Sequence, residues 1–273
     1  MHKNNINNIH PMAVISEGAQ IGKGVEIGAY AIIGPNVIIG DNSKIGAHAV
    51  IDGYTTIAQN VSISSFAVVG GAPQDITYKG EPTKVFIGDN TIIREFVTVH
   101  RGTTGGCGIT NIGKNCLIMA YCHIAHDCQI ADNVIMANGA TLGGHVTIDE
   151  HAVLGGVIAV HQFCHIGAYA FIGGMSGVNK DIPPFVKFFG IRGDMYGLNV
   201  VGLRRHRFPK EHIEALKKAY RRIFHSDITV KAGAQEVLKD MGDIPPVKTF
   251  CEFILNSSRG LPRSAGMEAT ADV

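Results

Sequence analysis

The sequence predicts a mainly β protein, a parallel β-helix followed by a small C-terminal α-helical domain. Two observations predict this fold: aliphatic residues recur at every sixth position, and apolar residues take a helical spacing once that recurrence has ended. The recurrence is unbroken from Ile9 to Val69 and again from Ile112 to Val178. An α-helix would scatter such residues around its axis, whereas short strands joined by turns keep them on one side.

Each six-residue unit contains an aliphatic anchor that we expect to face inward and a small or β-branched residue two positions before it. A glycine or acidic residue usually follows the anchor and permits a turn. Three units should close one triangular coil, and successive coils should stack about 4.8 Å apart by parallel strand pairing. Cysteines that fill the small position are expected to be buried thiols and not metal ligands: Cys116, Cys122, Cys128 and Cys164.

Two interruptions of the repeat predict loops that bulge from the β-helix, at 71–86 and 101–111. Both segments are polar and contain glycine, and the first also contains proline. Loops on a regular solenoid are often functional, so we expect a site near them.

The repeat ends at Pro183-Pro184, and the chain then becomes helical. We assign 1–190 to the β-helix and 191–273 to the C-terminal helical domain. The first long helix should begin after Pro209, and two more should follow near 229–241 and 247–258, capping one end of the solenoid.

Composition limits the function classes. Lys plus Arg is 24 and Asp plus Glu is 23, a balance that argues against a nucleic-acid binder. The apolar runs are too short to predict a membrane span or a secretory leader. Six cysteines in a chain of 273 residues without such a leader favour free thiols in the cytoplasm.

Stacking of coils predicts that distant histidines share one edge of the β-helix. Residues 18 apart should occupy the same wall of adjacent coils, as do the anchors Ile124, Leu142 and Val160. Val99 belongs to the preceding coil if the second loop is left out of the count. Four histidines lie beside these four anchors: His100, His126, His145 and His161. His123 lies close to the same edge. Because histidine titrates near neutrality, this edge is our candidate reaction centre.

Two further residues add chemistry to His126. Asp127 follows it directly, and a carboxylate at a coil corner could fix the imidazole tautomer and stabilise its cation. Gly144 lies one coil further on, where its backbone N–H could meet a developing oxyanion.

Four short motifs make the sequence similar to a known family. They are HIAHDC at 123–128, GEPT at 80–83, HRGT at 100–103 and AVHQF at 159–163. With the repeat and the helical cap, they resemble the UDP-N-acetylglucosamine O-acyltransferase family of lipid A biosynthesis, within the hexapeptide-repeat superfamily. The resemblance implies a left-handed β-helix and a homotrimer with active sites between subunits. It further implies transfer of a 3-hydroxyacyl group from acyl carrier protein to the 3-hydroxyl of UDP-N-acetylglucosamine, without a metal or another cofactor.

The same resemblance implies residue roles. His126 would be the general base, Asp127 would orient it, and the N–H of Gly144 would hold the thioester oxyanion. Gly174 would leave the acyl groove open for a long chain. The remaining positions would bind the sugar, the acyl group, the nucleotide or the acyl donor: Gln74, Asp75, His100, His123, His145, His161, Gln162, Asn199 and Arg205.

Three residues depart from the family pattern, namely Thr77, Val201 and His206. These departures leave open whether the acceptor carries a 3-amino group in place of the 3-hydroxyl.

Eight Lys and Arg residues lie from Leu203 to Arg222, against two Glu, and this basic charge suits an acidic carrier protein as a partner. The alternatives are a zinc hydratase on the same β-helix, which would use the H-x-x-H spacing of His123 and His126, a purely structural solenoid, and an acetyl-CoA-dependent relative.

Overall fold

The computed structural model describes residues 6–265, so the ends of the two expected domains, 1–5 and 266–273, lie outside the described residues. The parallel β-helix predicted from the six-residue repeat is confirmed. Most of its strands are only two residues long and end on the aliphatic anchor, because the turn at each corner begins directly after it.

The strands that precede the first loop are β1 (Asn8–Ile9), β2 (Val14–Ile15), β3 (Gln20–Ile21), β4 (Glu26–Ile27), β5 (Ile32–Ile33), β6 (Ile38–Ile39), β7 (Lys44–Ile45), β8 (Val50–Ile51), β9 (Tyr54–Ile57), β10 (Ser62–Ile63) and β11 (Val68–Gly71). The strands after it are β12 (Lys84–Ile87), β13 (Ile92–Ile93), β14 (Thr98–His100), β15 (Ile109–Ile112), β16 (Leu117–Ile118), β17 (His123–Ile124), β18 (Gln129–Ile130), β19 (Ile135–Met136), β20 (Thr141–Leu142), β21 (Thr147–Ile148), β22 (Val153–Leu154), β23 (Ala159–Val160), β24 (His165–Ile166), β25 (Phe171–Ile172), β26 (Gly177–Val178), β27 (Val186–Phe189) and β28 (Asp194–Leu198).

Every third strand joins the same sheet, which gives the β-helix three faces. Sheet A contains β1, β4, β7, β10, β13, β16, β19, β22, β25, β27 and β28; sheet B contains β2, β5, β8, β11, β14, β17, β20, β23 and β26; sheet C contains β3, β6, β9, β12, β15, β18, β21 and β24. Ile9 pairs with Ile27 in parallel register, so one coil takes three six-residue units, as predicted.

Both loops leave from sheet B and return to sheet C, and the strands on either side keep their register. Val69 pairs with Val99 across the first loop, and Ile87 pairs with Ile112 across the second. The segments without strands are 72–83 and 101–108. They are shorter than the expected loops because the residues just before Ile87 and Ile112 extend β12 and β15, and these extensions pair with each other.

The interior of the β-helix is a continuous apolar core of anchors and small residues. The four cysteines of the small position are buried free thiols, as predicted. Burial raises the pKa of Cys116 and Cys122 to about 11, so both stay protonated at neutral pH and behave as small apolar residues.

The C-terminal region begins with an antiparallel hairpin that the sequence analysis missed. Strands β27 and β28 extend sheet A, and Phe188 pairs with Ile172 and buries its side chain. Four helices follow before residue 265, where the described chain ends: α1 (Val200–Arg205), α2 (Lys210–Phe224), α3 (Val230–Met241) and α4 (Pro245–Asn256). The predicted helices correspond to α2, α3 and α4.

A buried carboxylate ties the β-helix to the segment after α4. Asp181 accepts hydrogen bonds from the backbone N–H of His165 at 2.9 Å, from the hydroxyl of Ser257 at 2.7 Å and from the N–H of Arg259 at 3.2 Å. Within residues 6–265, no helix has the length and apolar character needed to cross a membrane.

Candidate active site

The predicted histidines lie at one corner of the β-helix, between sheets B and C, which we call the BC corner. His100 ends β14, His126 lies in the turn after β17, His145 in the turn after β20, and His161 in the turn after β23. The loops 72–83 and 101–108 leave from the same corner. Stacked coils therefore bring together groups that are far apart in the sequence.

The histidines share this corner, as predicted from the sequence. They are not aligned in a single column, however, and in this respect the prediction was wrong. They occupy different positions after their anchors, so their rings meet in pairs. The rings of His126 and His145 are 5.0 Å apart and perpendicular, and those of His100 and His123 are 4.8 Å apart at 79°. His161 is exposed at the edge of this group, with Nδ1 3.0 Å from the carbonyl of Gln162, and none of the described rings contacts it.

His126 and Asp127 form an imidazole–carboxylate pair, with Nδ1 2.9 Å from Oδ2. Two adjacent residues can pair in this way because Asp127 has a φ of 60°, which turns its side chain back towards the preceding ring. With Nδ1–H donated to the carboxylate, Nε2 becomes the acceptor. No other described residue forms a hydrogen bond with that nitrogen.

The carboxylate of Asp127 is completely buried. Burial raises its pKa, but hydrogen bonds from His126, Thr103 and Gly108 outweigh burial, and the pKa is lowered overall. Asp127 is therefore ionised at neutral pH and able to stabilise a proton on His126.

The other histidines around His126 stay neutral at physiological pH. Burial, with the nearby His123, His126 and Arg101, lowers the pKa of His100 to about 4. Burial also lowers the pKa of His123 and of His145. Neutral neighbours do not repel a proton that His126 takes from a substrate.

Gly144 contacts the face of the His126 ring. A Cβ at this position would lie 2.6 Å from Cε1 and 2.7 Å from Nε2 of His126, so only glycine fits without moving the ring. Within the described chain, the N–H of Gly144 donates to no acceptor.

Some equivalent turn amides are covered by an aspartate of the next coil. Asp41 accepts from the N–H of Lys23, and Asp132 accepts from the N–H of Lys114, each at 2.7 Å. Gln162 occupies that place above Gly144, and within the described chain the amide beside His126 has no acceptor.

The first loop brings a second carboxylate towards the histidines. Asp75 accepts hydrogen bonds from the N–H and the hydroxyl of Thr77, both at 2.8 Å. These bonds, followed by the charges of His126 and His145, lower its pKa. Thr77, one of the departures from the family pattern, thus orients Asp75. Gln74 is exposed beside it.

Arg101 holds this loop against the β-helix. Its Nε donates to the hydroxyl of Tyr78 at 2.8 Å, and its Nη1 donates to the carbonyl of Gly70 at 2.7 Å. Arg101 belongs to the HRGT motif, but its role in holding the loop was not predicted from the sequence.

Three predicted site residues do not reach the BC corner within one chain. Gly174 is exposed at the corner between sheets A and B, the AB corner, where an added Cβ would lie 3.3 Å from the carbonyl of Gly156. Asn199 caps α1, accepting from the N–H of Gly202 at 3.0 Å. Arg205 is exposed in the last turn of that helix.

The geometry does not favour the zinc alternative. Ligand atoms of His126, Asp127 and His145 lie within 4.8 Å of one another, but the Asp127 oxygens already accept from His126, Thr103 and Gly108. Zinc needs four ligands at about 2.0–2.3 Å. His123, the other member of the H-x-x-H spacing, has Nδ1 2.7 Å from the hydroxyl of Thr98.

An imidazole paired with a buried carboxylate, beside a glycine amide that has no acceptor in the described chain, on a parallel β-helix, defines a transferase of the hexapeptide-repeat class. The profile of the bacterial transferase hexapeptide (six repeats) matches residues 18–53 and 109–144. The profile of domain 2 of UDP-N-acetylglucosamine O-acyltransferase matches residues 181–262. The chain belongs to the UDP-N-acetylglucosamine O-acyltransferase family and has its left-handed β-helix.

Similar proteins align over almost the whole chain. An acyl-(acyl-carrier-protein)–UDP-N-acetylglucosamine O-acyltransferase of Campylobacter concisus is 45% identical over 262 residues, covering 96% of this chain and 99% of the relative. One of Aliarcobacter butzleri is 49% identical over 257 residues, covering 94% and 98%. The solved UDP-N-acetylglucosamine acyltransferase of Campylobacter jejuni superimposes with a TM-score of 0.90 at 43% identity, covering 94% of this chain and 100% of that one.

Proposed function

We propose that this chain transfers a 3-hydroxyacyl group from acyl carrier protein to the 3-hydroxyl of UDP-N-acetylglucosamine, the first step of lipid A biosynthesis. Relatives named for acyl transfer from the carrier protein to this sugar nucleotide align over nearly their full length. The observation that carries the chemistry is the His126–Asp127 pair beside the amide of Gly144.

In the proposed mechanism, Nε2 of His126 takes the proton from the sugar hydroxyl as its oxygen attacks the thioester carbonyl. Asp127 stabilises the imidazolium, and the N–H of Gly144 donates to the oxyanion of the tetrahedral intermediate. The intermediate then collapses, the carbon–sulfur bond breaks, and the imidazolium protonates the departing thiolate. The products are the ester and the free carrier thiol, and neither a metal nor a covalent enzyme intermediate is required.

We propose for the remaining residues the substrate-binding roles that the family resemblance implies, and their positions support these roles. Gln74 and Asp75 lie on the loop that faces His126 and His145, which suits contact with sugar hydroxyls. His161 and Gln162 lie one coil beyond Gly144, where the acyl group would leave the reaction centre. His100 and His123 lie on neighbouring strands of sheet B beside the same corner.

We assign the active site to the junction between subunits of a homotrimer, because Gly174 and His126 lie on different corners of one chain. Sheet B, which separates these corners, has an uncharged outer row: Val14, Ile32, Val50, Val68, Thr98, His123, Thr141, Ala159 and Gly177. A second copy packed on this face would bring its AB corner to the BC corner of the first.

An aromatic column at the AB corner supports this arrangement. Five rings stack with centroids 5.0–5.1 Å apart, and they belong to Tyr30, His48, Phe66, Phe96 and Tyr121. The Phe and Tyr side chains of the column are 44–63% exposed in a single chain, and exposed apolar patches of this kind mark interaction surfaces. Sedimentation should give a mass of three chains.

We propose that the carrier protein docks on the basic face of α1 and α2. A cleft of about 540 Å³ lies between this face and the β27–β28 hairpin, and its walls include Lys187, Lys217, Arg221 and His225. Replacing Arg205, Arg221 and Arg222 by Glu should raise the KM for the acyl donor steeply at low salt. The control Lys248→Glu on α4 should leave this KM unchanged. If the triple variant had the same KM for the acyl donor as Lys248→Glu, the docking site would be excluded.

The described cysteines are all free, which suits the reducing cytoplasm, where we place the enzyme. The activity is tested by incubating the protein with hydroxyacyl carrier proteins of mixed chain length. UDP-N-acetylglucosamine and its 3-amino analogue serve as alternative acceptors, and mass spectrometry identifies the products. The expected product is a long-chain ester of the 3-hydroxy sugar. Transfer only to the amine, or loss of activity on chelation of metal ions, would contradict the proposal.

A further inference from the structure

The second loop encloses the carboxylate of Asp127. Thr103 donates its hydroxyl to Oδ2 at 2.7 Å and its N–H to the same oxygen at 3.0 Å. Gly108 donates its N–H to Oδ1 at 3.0 Å. We call Thr103, Gly106, Cys107 and Gly108 the carboxylate cradle.

The cradle fits the carboxylate closely. A Cβ at Gly106 would clash with both oxygens and with Cγ of Asp127. The thiol of Cys107 lies 3.6 Å from Oδ1. Because Asp127 is excluded from water, these contacts take the place of its hydration and fix the rotation of its carboxylate.

One atom links the cradle to the proposed base. Oδ2 of Asp127 accepts both the hydroxyl of Thr103 and Nδ1–H of His126, the latter at 2.9 Å. A second donor on an oxygen withdraws electron density from it and lowers its affinity for the imidazole proton. Without that donor the carboxylate would hold the proton on His126 more strongly.

We propose that Thr103 is a positioning residue that sets the basicity of His126 through Asp127. This inference rests on the proposed function, because it takes His126 as the base. The hydroxyl of Thr103 keeps Asp127 ionised and correctly rotated, yet limits its pull on the Nδ1 proton of His126, and Nε2 remains the atom that accepts a proton from the substrate.

The test compares Thr103→Val, Thr103→Ser and Thr104→Val in the full-length protein. Thr104 is exposed in the same loop, so its substitution is the matched control. Thr103→Val should shift the titration of the His126 ring, followed by NMR, upwards by about half a pH unit. The acid limb of kcat/KM should move by the same amount. Because a shift of about half a pH unit changes the unprotonated fraction of His126 by at most about threefold, kcat at pH 7 should fall by up to about threefold with KM unchanged. Thr103→Ser should restore most of the wild-type behaviour.

An unchanged His126 titration in Thr103→Val would overturn the proposal. So would loss of activity in Thr103→Ser together with a lowered melting temperature, because the residue would then act only on folding. The NMR titration does not depend on catalysis. If His126→Ala kept full activity while Thr103→Val still moved the ring pKa, the proposed base would be wrong but the link from Thr103 to His126 would stand.

Discussion

Adding one methyl group at Gly144 should displace the ring of the proposed base, His126, although His126 itself is not substituted. The Cβ of Gly144→Ala would lie 2.6 Å from Cε1 of His126, whereas carbon atoms in contact prefer about 3.5 Å. The ring must therefore move by roughly 0.9 Å, and a displacement of about 1 Å at a reacting group costs about 10²-fold in rate. We expect kcat for acyl transfer to fall by about that factor, with little change in KM for either substrate.

The control is Gly105→Ala, because an added Cβ at Gly105 meets no atom within 4 Å in the described chain. Its kcat should equal that of the wild type. Since Gly144→Ala acts through His126, the double variant with His126→Ala should be no slower than His126→Ala alone. A Gly144→Ala enzyme with wild-type kcat, or a double variant whose losses multiply, would show that Gly144 does not act by leaving room for the His126 ring.

Three more predictions follow from burial. Because His100 has a pKa of about 4 in the folded chain against 6.5 unfolded, the unfolded state binds more protons between these values. The free energy of unfolding should therefore decrease by up to about 3 kcal/mol as pH falls from 6.5 to 4, and less in His100→Leu; a flat profile in the wild type would contradict this. Asp181→Ala leaves three donors without an acceptor and should cost about 3 kcal/mol in denaturant unfolding, whereas replacement of the half-buried Asp149, which pairs with His165, by Ala should cost less than about 1 kcal/mol. Gly106→Ala displaces the Asp127 carboxylate and should lower kcat by about tenfold or more, and full activity would show that the cradle is dispensable.

The repeat allowed the coil and its register to be predicted, because both follow from spacing alone. Ile124 pairs with Leu142, and Leu142 with Val160, as the 18-residue arithmetic required. The corner that holds His126 and His145 was predictable for the same reason. The spacing did not give the direction of each side chain, so it did not separate exposed His161 from the paired rings.

Contacts outside the repeat could not be predicted. Thr103 reaches Asp127 from a loop with no periodicity, and only the folded loop shows that its hydroxyl points at Oδ2. The β27–β28 hairpin was missed because Val186 and Phe188 lie beyond the last six-residue unit, although their alternation with Lys187 and Phe189 was a strand signal. Gly174 was assigned by resemblance, and the coil geometry places it on another corner.

In the proposed mechanism, the Nε2 nitrogen of His126 removes the proton from the acceptor hydroxyl. This role can be tested by steady-state kinetics of His126→Ala with hydroxyacyl carrier protein and UDP-N-acetylglucosamine, provided that sedimentation shows the same oligomeric mass as the wild type. We predict that kcat falls by at least about 10²-fold. An intact assembly with kcat close to that of the wild type would show that another group performs the proton transfer.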